Sequence, residues 1–184
     1  MPDLEELYRE IILDHYRSPR NRGELESPPA HRVEGFNPLC GDEVVVSLLV
    51  DGDTLSDIKI AGSGCSISQS SASLMSAAVK GRPITDVQAL IATFKRMMSV
   101  HGASLGSDVT DGREHDRTAF PEGAESGGDA ADGARDDEGP LDLSKLGELA
   151  ALQGVVKFPV RIKCATLCWN ALFQGLEELR TADA

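Results

Sequence analysis

An α+β fold, a small antiparallel three-stranded sheet packed against helices, is predicted for this 184-residue chain. Strand-like segments come early and helical periodicities mostly follow them, an order that favours a sheet with helices on one face. The clearest strand signal is the β-branched and apolar run Val44-Val45-Val46-Ser47-Leu48-Leu49-Val50. Asp51-Gly52-Asp53 supplies hairpin turn chemistry after it, and residues 54–60 alternate as the returning strand. A weaker pattern over residues 31–36 adds an edge strand.

The helices read as follows. Leu4, Leu7, Tyr8, Ile11, Ile12 and Tyr16 recur at helical spacing, and Pro19 with Gly23 ends that pattern. Residues 66–80 form a helix of small residues with Ile67, Leu74, Met75, Ala78 and Val79 on one face, closed by Gly81. Its serines, from Ser68 to Ser76, let it pack closely against the sheet. A further helix begins over residues 83–98, a short helical pattern covers 141–153, and a last helix runs over 164–180. Residues 102–140 break the sequence of elements: they hold eleven acidic residues and three arginines, a local net charge of −8 within a total of −12. With few sizeable apolar residues, this stretch cannot offset an ordering entropy of roughly 1–2 kcal/mol per residue. It is read as a flexible acidic insertion in a single domain spanning residues 1–184, with a docking arm for a basic partner as the rival reading.

Composition excludes some function classes. The acidic balance argues against a nucleic-acid partner, which calls for a basic face. No run of eighteen apolar residues suggests a membrane span, and the acidic, amphipathic start is unlike a signal peptide. A cytoplasmic location is therefore expected, where cysteines serve as metal ligands or reactive thiols more often than as disulfides.

Four cysteines carry the chemistry. Cys40 lies in the turn Asn37-Pro38-Leu39-Cys40-Gly41-Asp42, two residues from a carboxylate. Cys65 follows Gly62-Ser63-Gly64 and Cys164 follows Arg161-Ile162-Lys163; each opens a helical pattern, where backbone N–H groups and the helix dipole favour thiolate. Cys40, Asp42, Cys65 and Cys164 together supply S, O, S, S, a set suited to tetrahedral zinc and also to iron. Asp42 could instead cap the turn. Cys168, one helical turn after Cys164 amid Leu167, Trp169 and Leu172, reads as a core thiol. Lys163 and Arg161 are solvated cations or electrostatic partners of the thiolates. His15 is assigned to the helix surface or to the edge of a partner face and His31 to a strand, and none of the histidines, His101 and His115 included, is placed as a ligand.

These motifs resemble the U-type iron–sulfur assembly proteins, the IscU/NifU/SufU family. The resemblance rests on Leu7-Tyr8-Arg9-Glu10-Ile11-Ile12-Leu13-Asp14-His15-Tyr16-Arg17-Ser18-Pro19-Arg20-Asn21 and on the three cysteine segments, and covers all but the insertion. Lys163 stands where the IscU branch has a histidine, and residues 158–161 depart from that branch's chaperone-recognition motif. The insertion before the third cysteine is a SufU-branch feature. The resemblance implies a SufE/IscU-like sandwich. It also implies a zinc-dependent sulfurtransferase that accepts persulfide sulfur from a SufS-type cysteine desulfurase and works with other cluster-assembly proteins. In that branch a desulfurase histidine is thought to displace the first cysteine from zinc, which implies Cys40 as the catalytic acceptor. The alternative is a scaffold on which a [2Fe–2S] cluster is assembled on the same ligands; a zinc-stabilised interaction domain without chemistry is a third reading.

Because each doubling of loop length adds only about 0.6 kcal/mol of closure cost, the insertion should be dispensable for the metal. Replacing residues 102–140 with a short Gly/Ser linker should leave zinc stoichiometry unchanged by elemental analysis. Loss of zinc would show that the segment belongs to the fold.

Overall fold

The structure is a computed structural model and describes residues 3–104 and 143–182. Helix α1 (Leu4–Arg17) leads to strands β1 (His31–Asn37), β2 (Asp42–Asp51) and β3 (Thr54–Ser63), then helix α2 (Ser66–Val79). A two-residue strand β4 (Arg82–Pro83), helix α3 (Ile84–Ser104), a 3₁₀ segment (Leu143–Lys157) and helix α4 (Pro159–Ala182) complete the order. The sheet is antiparallel with strand order β1-β2-β3-β4. It therefore has four strands where the sequence predicts three. The extra strand is short because Pro83 lacks an N–H to extend a ladder, and it pairs only Arg82 with Leu55 and Pro83 with Thr54.

The hairpin turn falls where Asp51-Gly52-Asp53 predicts it, with Gly52 at φ +58° and Asp51 paired to Thr54. On the inner face, Val33 of β1, Val44, Val46 and Leu48 of β2, and Ile58 and Ile60 of β3 are buried. Helix α4 lies on this face. Its Leu167, Ala171 and Gly175 recur at helical spacing, and a Cβ placed on Gly35 would meet Val44, Leu167 and Ala171 at 3.0, 3.3 and 3.5 Å. A Cβ at Gly175 would come within 2.6 Å of Leu48 Cδ1. Two glycines, one from each element, thus let α4 sit close to the sheet. Trp169, fully buried on another side of α4, stacks on Phe94 of α3 with ring centroids 4.2 Å apart.

Three further expectations are corrected. Helix α4 starts at Pro159, five residues before Cys164, because proline suits the first helical turn, where its missing N–H has no intrahelical partner to lose. The helical pattern at 141–153 is a run of 3₁₀ turns from Leu143 to Lys157, broken at Gly147 with φ +53°. Helix α3 continues to Ser104, so it takes in the first three residues of the expected insertion; the remainder of that segment lies outside the described residues. The serines of α2 also have a different role from the expected one. Ser71 Oγ donates to the Ala165 carbonyl at 2.6 Å and accepts the Trp169 indole N–H at 3.2 Å, while Ser73 Oγ accepts the Arg20 backbone N–H at 2.8 Å. They join α2 to α4 and to the segment that follows α1.

His15 is likewise not on a helix surface. It is 2 % exposed, with Nδ1 2.7 Å from Ser73 Oγ and Nε2 3.4 Å from Glu148, so it pins α1 to α2 and to the 3₁₀ segment. Burial, reinforced by the Arg20 guanidinium, lowers its pKa below the usual 6.5 despite the Glu148 and Asp14 carboxylates. Well above pH 6.5 the ring is neutral in folded and unfolded chains alike, so it adds no pH dependence there. Below that value the unfolded chain takes up the proton first, and stability falls with pH until the folded-state pKa is passed. His15→Gln should therefore lose less stability than the parent between about pH 7.5 and about pH 5.5 in urea unfolding. Equal losses would remove His15 as a source of acid sensitivity.

Candidate metal centre

The centre is built at one end of the inner face of the sheet. Asn37 and Asp42 are cross-strand partners that close the β1–β2 hairpin, and both are buried. The turn between them carries Cys40 outward. Asn37 fixes it twice: its carbonyl accepts the Gly41 N–H at 2.8 Å and its Oδ1 accepts the Leu39 N–H at 3.1 Å. Gly41 has φ +69°, a conformation that L residues rarely adopt.

Asp42 is 2 % exposed, and among the described residues it enters no ion pair. Its Oδ1 accepts the Cys65 backbone N–H at 3.0 Å, and its Oδ2 lies 3.6 Å from Cys65 Sγ. Two glycines make this approach possible. A Cβ on Gly64 would stand 2.9 Å from Asp42 Oδ1, and one on Gly62, at φ +114°, would stand 2.2 Å from the Glu43 carbonyl oxygen.

Cys65 is the N-cap of α2, as the sequence predicts, with its Sγ accepting the Ser68 N–H at 3.4 Å. Cys164 is not at a helix start. It occupies the second turn of α4, on the stripe that continues through Leu167 and Ala171 over the sheet, and it is buried. Its Sγ lies 3.3 Å from Cys40 Sγ. No helix-terminal effect lowers its pKa; burial pushes the thiol strongly up, and its contacts with Cys40, Asp42 and Cys65 act in the same direction. Cys40 is exposed, Cys65 is half-buried.

The ligand atoms of Cys40, Asp42 and Cys164 all lie within 4.8 Å of one another, and Cys65 adjoins the group through Asp42. Soft sulfurs beside one carboxylate form a donor set that suits zinc or iron in tetrahedral coordination. A buried carboxylate 3.6 Å from Cys65 Sγ, beside two further sulfurs 3.3 Å apart, is the mixed oxygen and sulfur lining that such a metal takes. The residues present fit a metal.

The other sulfur is separate. Cys168 is buried beside Ser71, 3.6 Å from its Oγ, and burial pushes its thiol up to about 12. It is a core residue. Lys163 and Arg161 are exposed on the first turns of α4. His31 Nε2 contacts Glu178 at 2.6 Å, far along α4 from Cys164. Sequence reasoning gave no role to Asn37 or to Gly64. The signal for Asn37 was its place before Pro38, since asparagine side chains commonly accept the N–H two residues on.

Residues 7–111 match the NifU-like N-terminal domain family. The chain belongs to that family. Among its curated relatives, the zinc-dependent sulfurtransferase SufU of Bacillus subtilis is 38% identical over 174 residues, covering 95% of this chain and 92% of the relative. The iron–sulfur cluster assembly scaffold protein IscU of Streptococcus pyogenes serotype M1 is 33% identical over 181 residues, 98% of this chain and 88% of that protein. Among solved structures, FiSufU of Fervidobacterium islandicum AW-1 superposes with a TM-score of 0.66 at 26% identity, covering 95% of this chain and 99% of the other. The N-terminal NifU-like protein of Brucella abortus, at 18% identity and a TM-score of 0.66 over 95% and 94% of the two chains, shares the fold. The expected α+β architecture and the resemblance to U-type proteins therefore hold for this NifU-like chain. Among its described residues no helix is long and apolar enough to cross a membrane.

Proposed function

We propose that this NifU-like chain is a zinc-dependent sulfur acceptor that takes persulfide sulfur from a SufS-type cysteine desulfurase for iron–sulfur cluster assembly. Its ligands are Cys40, Asp42, Cys65 and Cys164. The observation that carries the reading is the unequal exposure of a gathered donor set: Cys40 is open to solvent on a turn, whereas Cys164 and Asp42 are buried. Zinc, when bound, keeps thiol ligands ionised near neutral pH and has no redox chemistry of its own.

The transfer itself is a thiol–persulfide exchange. The Cys40 thiolate attacks the outer sulfur of the donor's Cys–S–S⁻, the donor S–S bond breaks, and the donor cysteine leaves as thiolate. Cys40 then carries the persulfide, with no net oxidation or reduction. The Asn37–Gly41 hydrogen bond and the positive-φ Gly41 hold Cys40 at a turn apex, so its displacement disturbs no helix or strand. Leu39, 69 % exposed beside it, and Phe158 and Val160 near Cys164 offer apolar surface for a protein partner. The relatedness to the Bacillus zinc-dependent sulfurtransferase, over nearly the full length of both chains, supports the same role.

The relatedness to the Streptococcus scaffold protein favours a second reading, assembly of a [2Fe–2S] cluster on the same residues. Lys163 in place of the histidine expected beside the third cysteine speaks for the first. Anaerobically purified protein should contain one zinc per chain and no acid-labile sulfide; iron with sulfide would favour the scaffold.

Cys65→Ala and Cys164→Ala should lose zinc and thermal stability, because metal-binding free energy is partly folding free energy. Cys40→Ala should retain more zinc than Cys65→Ala, with water able to take the open position, yet should abolish stimulation of a partner desulfurase. Single-turnover transfer of labelled sulfur, followed by peptide mapping, should find the persulfide on Cys40. Label on Cys65 or Cys164, with Cys40→Ala still active, would overturn the acceptor assignment.

A further inference from the structure

Asn37 is buried, 6 % exposed, where a polar side chain must find partners. One end of its amide meets the backbone of the Cys40 turn and the other faces Cys164. Oδ1 accepts the Leu39 N–H at 3.1 Å, which fixes which end is oxygen, since only the oxygen can accept. Nδ2 then faces Cys164 Sγ at 4.0 Å, the outer limit of an N–H···S contact. The two cysteines that Asn37 serves in this way are themselves 3.3 Å apart and come from positions 124 residues apart in sequence.

We propose that Asn37 is a positioning residue of the metal centre, with its oxygen holding the Cys40 turn and its N–H group donating to the Cys164 sulfur. The proposal rests on the ligand set given above. The amide has the chemistry for both tasks. A neutral N–H donor beside a thiolate withdraws electron density from sulfur without adding a competing ligand or a charge. The Asx-type turn on the other side limits how far Cys40 strays from Cys164 when it is not bound. Asn37 also pairs with Asp42 across the hairpin, so one cross-strand pair supplies a ligand and the group that orients two others. No cationic side chain among the described residues shows an ion pair or hydrogen bond to Cys164, which leaves the amide as the side-chain N–H donor facing that sulfur.

Two variants separate the tasks. Asn37→Ser keeps an oxygen that can accept the Leu39 N–H but is too short to reach Cys164, whereas Asn37→Ala loses both. The full-length protein is loaded with cobalt(II) in place of zinc, and its sulfur-to-cobalt charge-transfer bands are recorded; zinc affinity is measured separately by competition with a chromophoric chelator. Removing the N–H donor raises the energy of the sulfur lone pairs, so both variants should shift the charge-transfer band to lower energy. Asn37→Ala should also lose roughly ten- to a hundredfold in zinc affinity, with Asn37→Ser losing less. A purely structural role for Asn37 predicts a lower Tm with an unmoved band, and that result overturns the proposal. Should Asn37→Ala fail to fold, the Asn37→Ser spectrum decides alone. If the parent protein takes up cobalt without sulfur-to-cobalt bands, the ligand set itself is wrong; parent bands that are unchanged in both variants overturn the Asn37 inference only.

Discussion

The Asp42 carboxylate, buried at the head of β2, accepts the Cys65 backbone N–H and so ties the start of α2 to the end of the β1–β2 hairpin. The rest of the centre depends on that contact. It sets the distance between Cys65 and the hairpin, and it requires glycine at position 64, where a Cβ would strike the carboxylate. A carboxylate in this position needs partners to offset its desolvation. The backbone N–H offsets part of it. A divalent cation shared with the neighbouring sulfurs, as proposed for this centre, would offset the remainder.

The second constraint is the close seating of α4 on the sheet. Gly35 on β1 and Gly175 on α4 remove the side chains that would hold the layers apart. The helical stripe through Leu167 and Ala171 then carries Cys164 under the turn that bears Cys40. Serines do the corresponding job between helices: Ser71 bonds the Ala165 carbonyl and the Trp169 indole, which holds α2 and α4 at fixed spacing. Cys65 rides on the first of these helices and Cys164 on the second. The protein therefore brings remote thiols together through packing against a small sheet, and leaves one of them, Cys40, on the surface.

Much of this was legible in the sequence because its signals are local. The run around Val44 to Val50 and the Asp51-Gly52-Asp53 turn give the hairpin, and the helical pattern that Cys65 opens is the start of α2. What was not legible depends on tertiary contacts. The sequence assigns Cys164 to a helix N-terminus, yet α4 begins at Pro159, and the thiol's environment is set by burial instead of the dipole. His15 lies on an amphipathic helix and looks exposed by periodicity alone; only the position of Ser73 on α2 and Glu148 on the 3₁₀ segment makes it a buried pin. The two-residue β4 carries too little pattern to be seen in sequence. Asn37 was visible as a turn residue, but its approach to a sulfur 127 positions away was not.

X-ray absorption at the zinc edge of the purified protein tests the central claim most directly, because it reports the donor atoms without relying on activity. The account predicts a tetrahedral shell of three sulfurs at about 2.3 Å and one oxygen at about 2.0–2.2 Å, with one sulfur lost in each of Cys40→Ala, Cys65→Ala and Cys164→Ala that still retains metal. A first shell dominated by nitrogen or oxygen, or a three-sulfur shell that survives replacement of these cysteines, would contradict it.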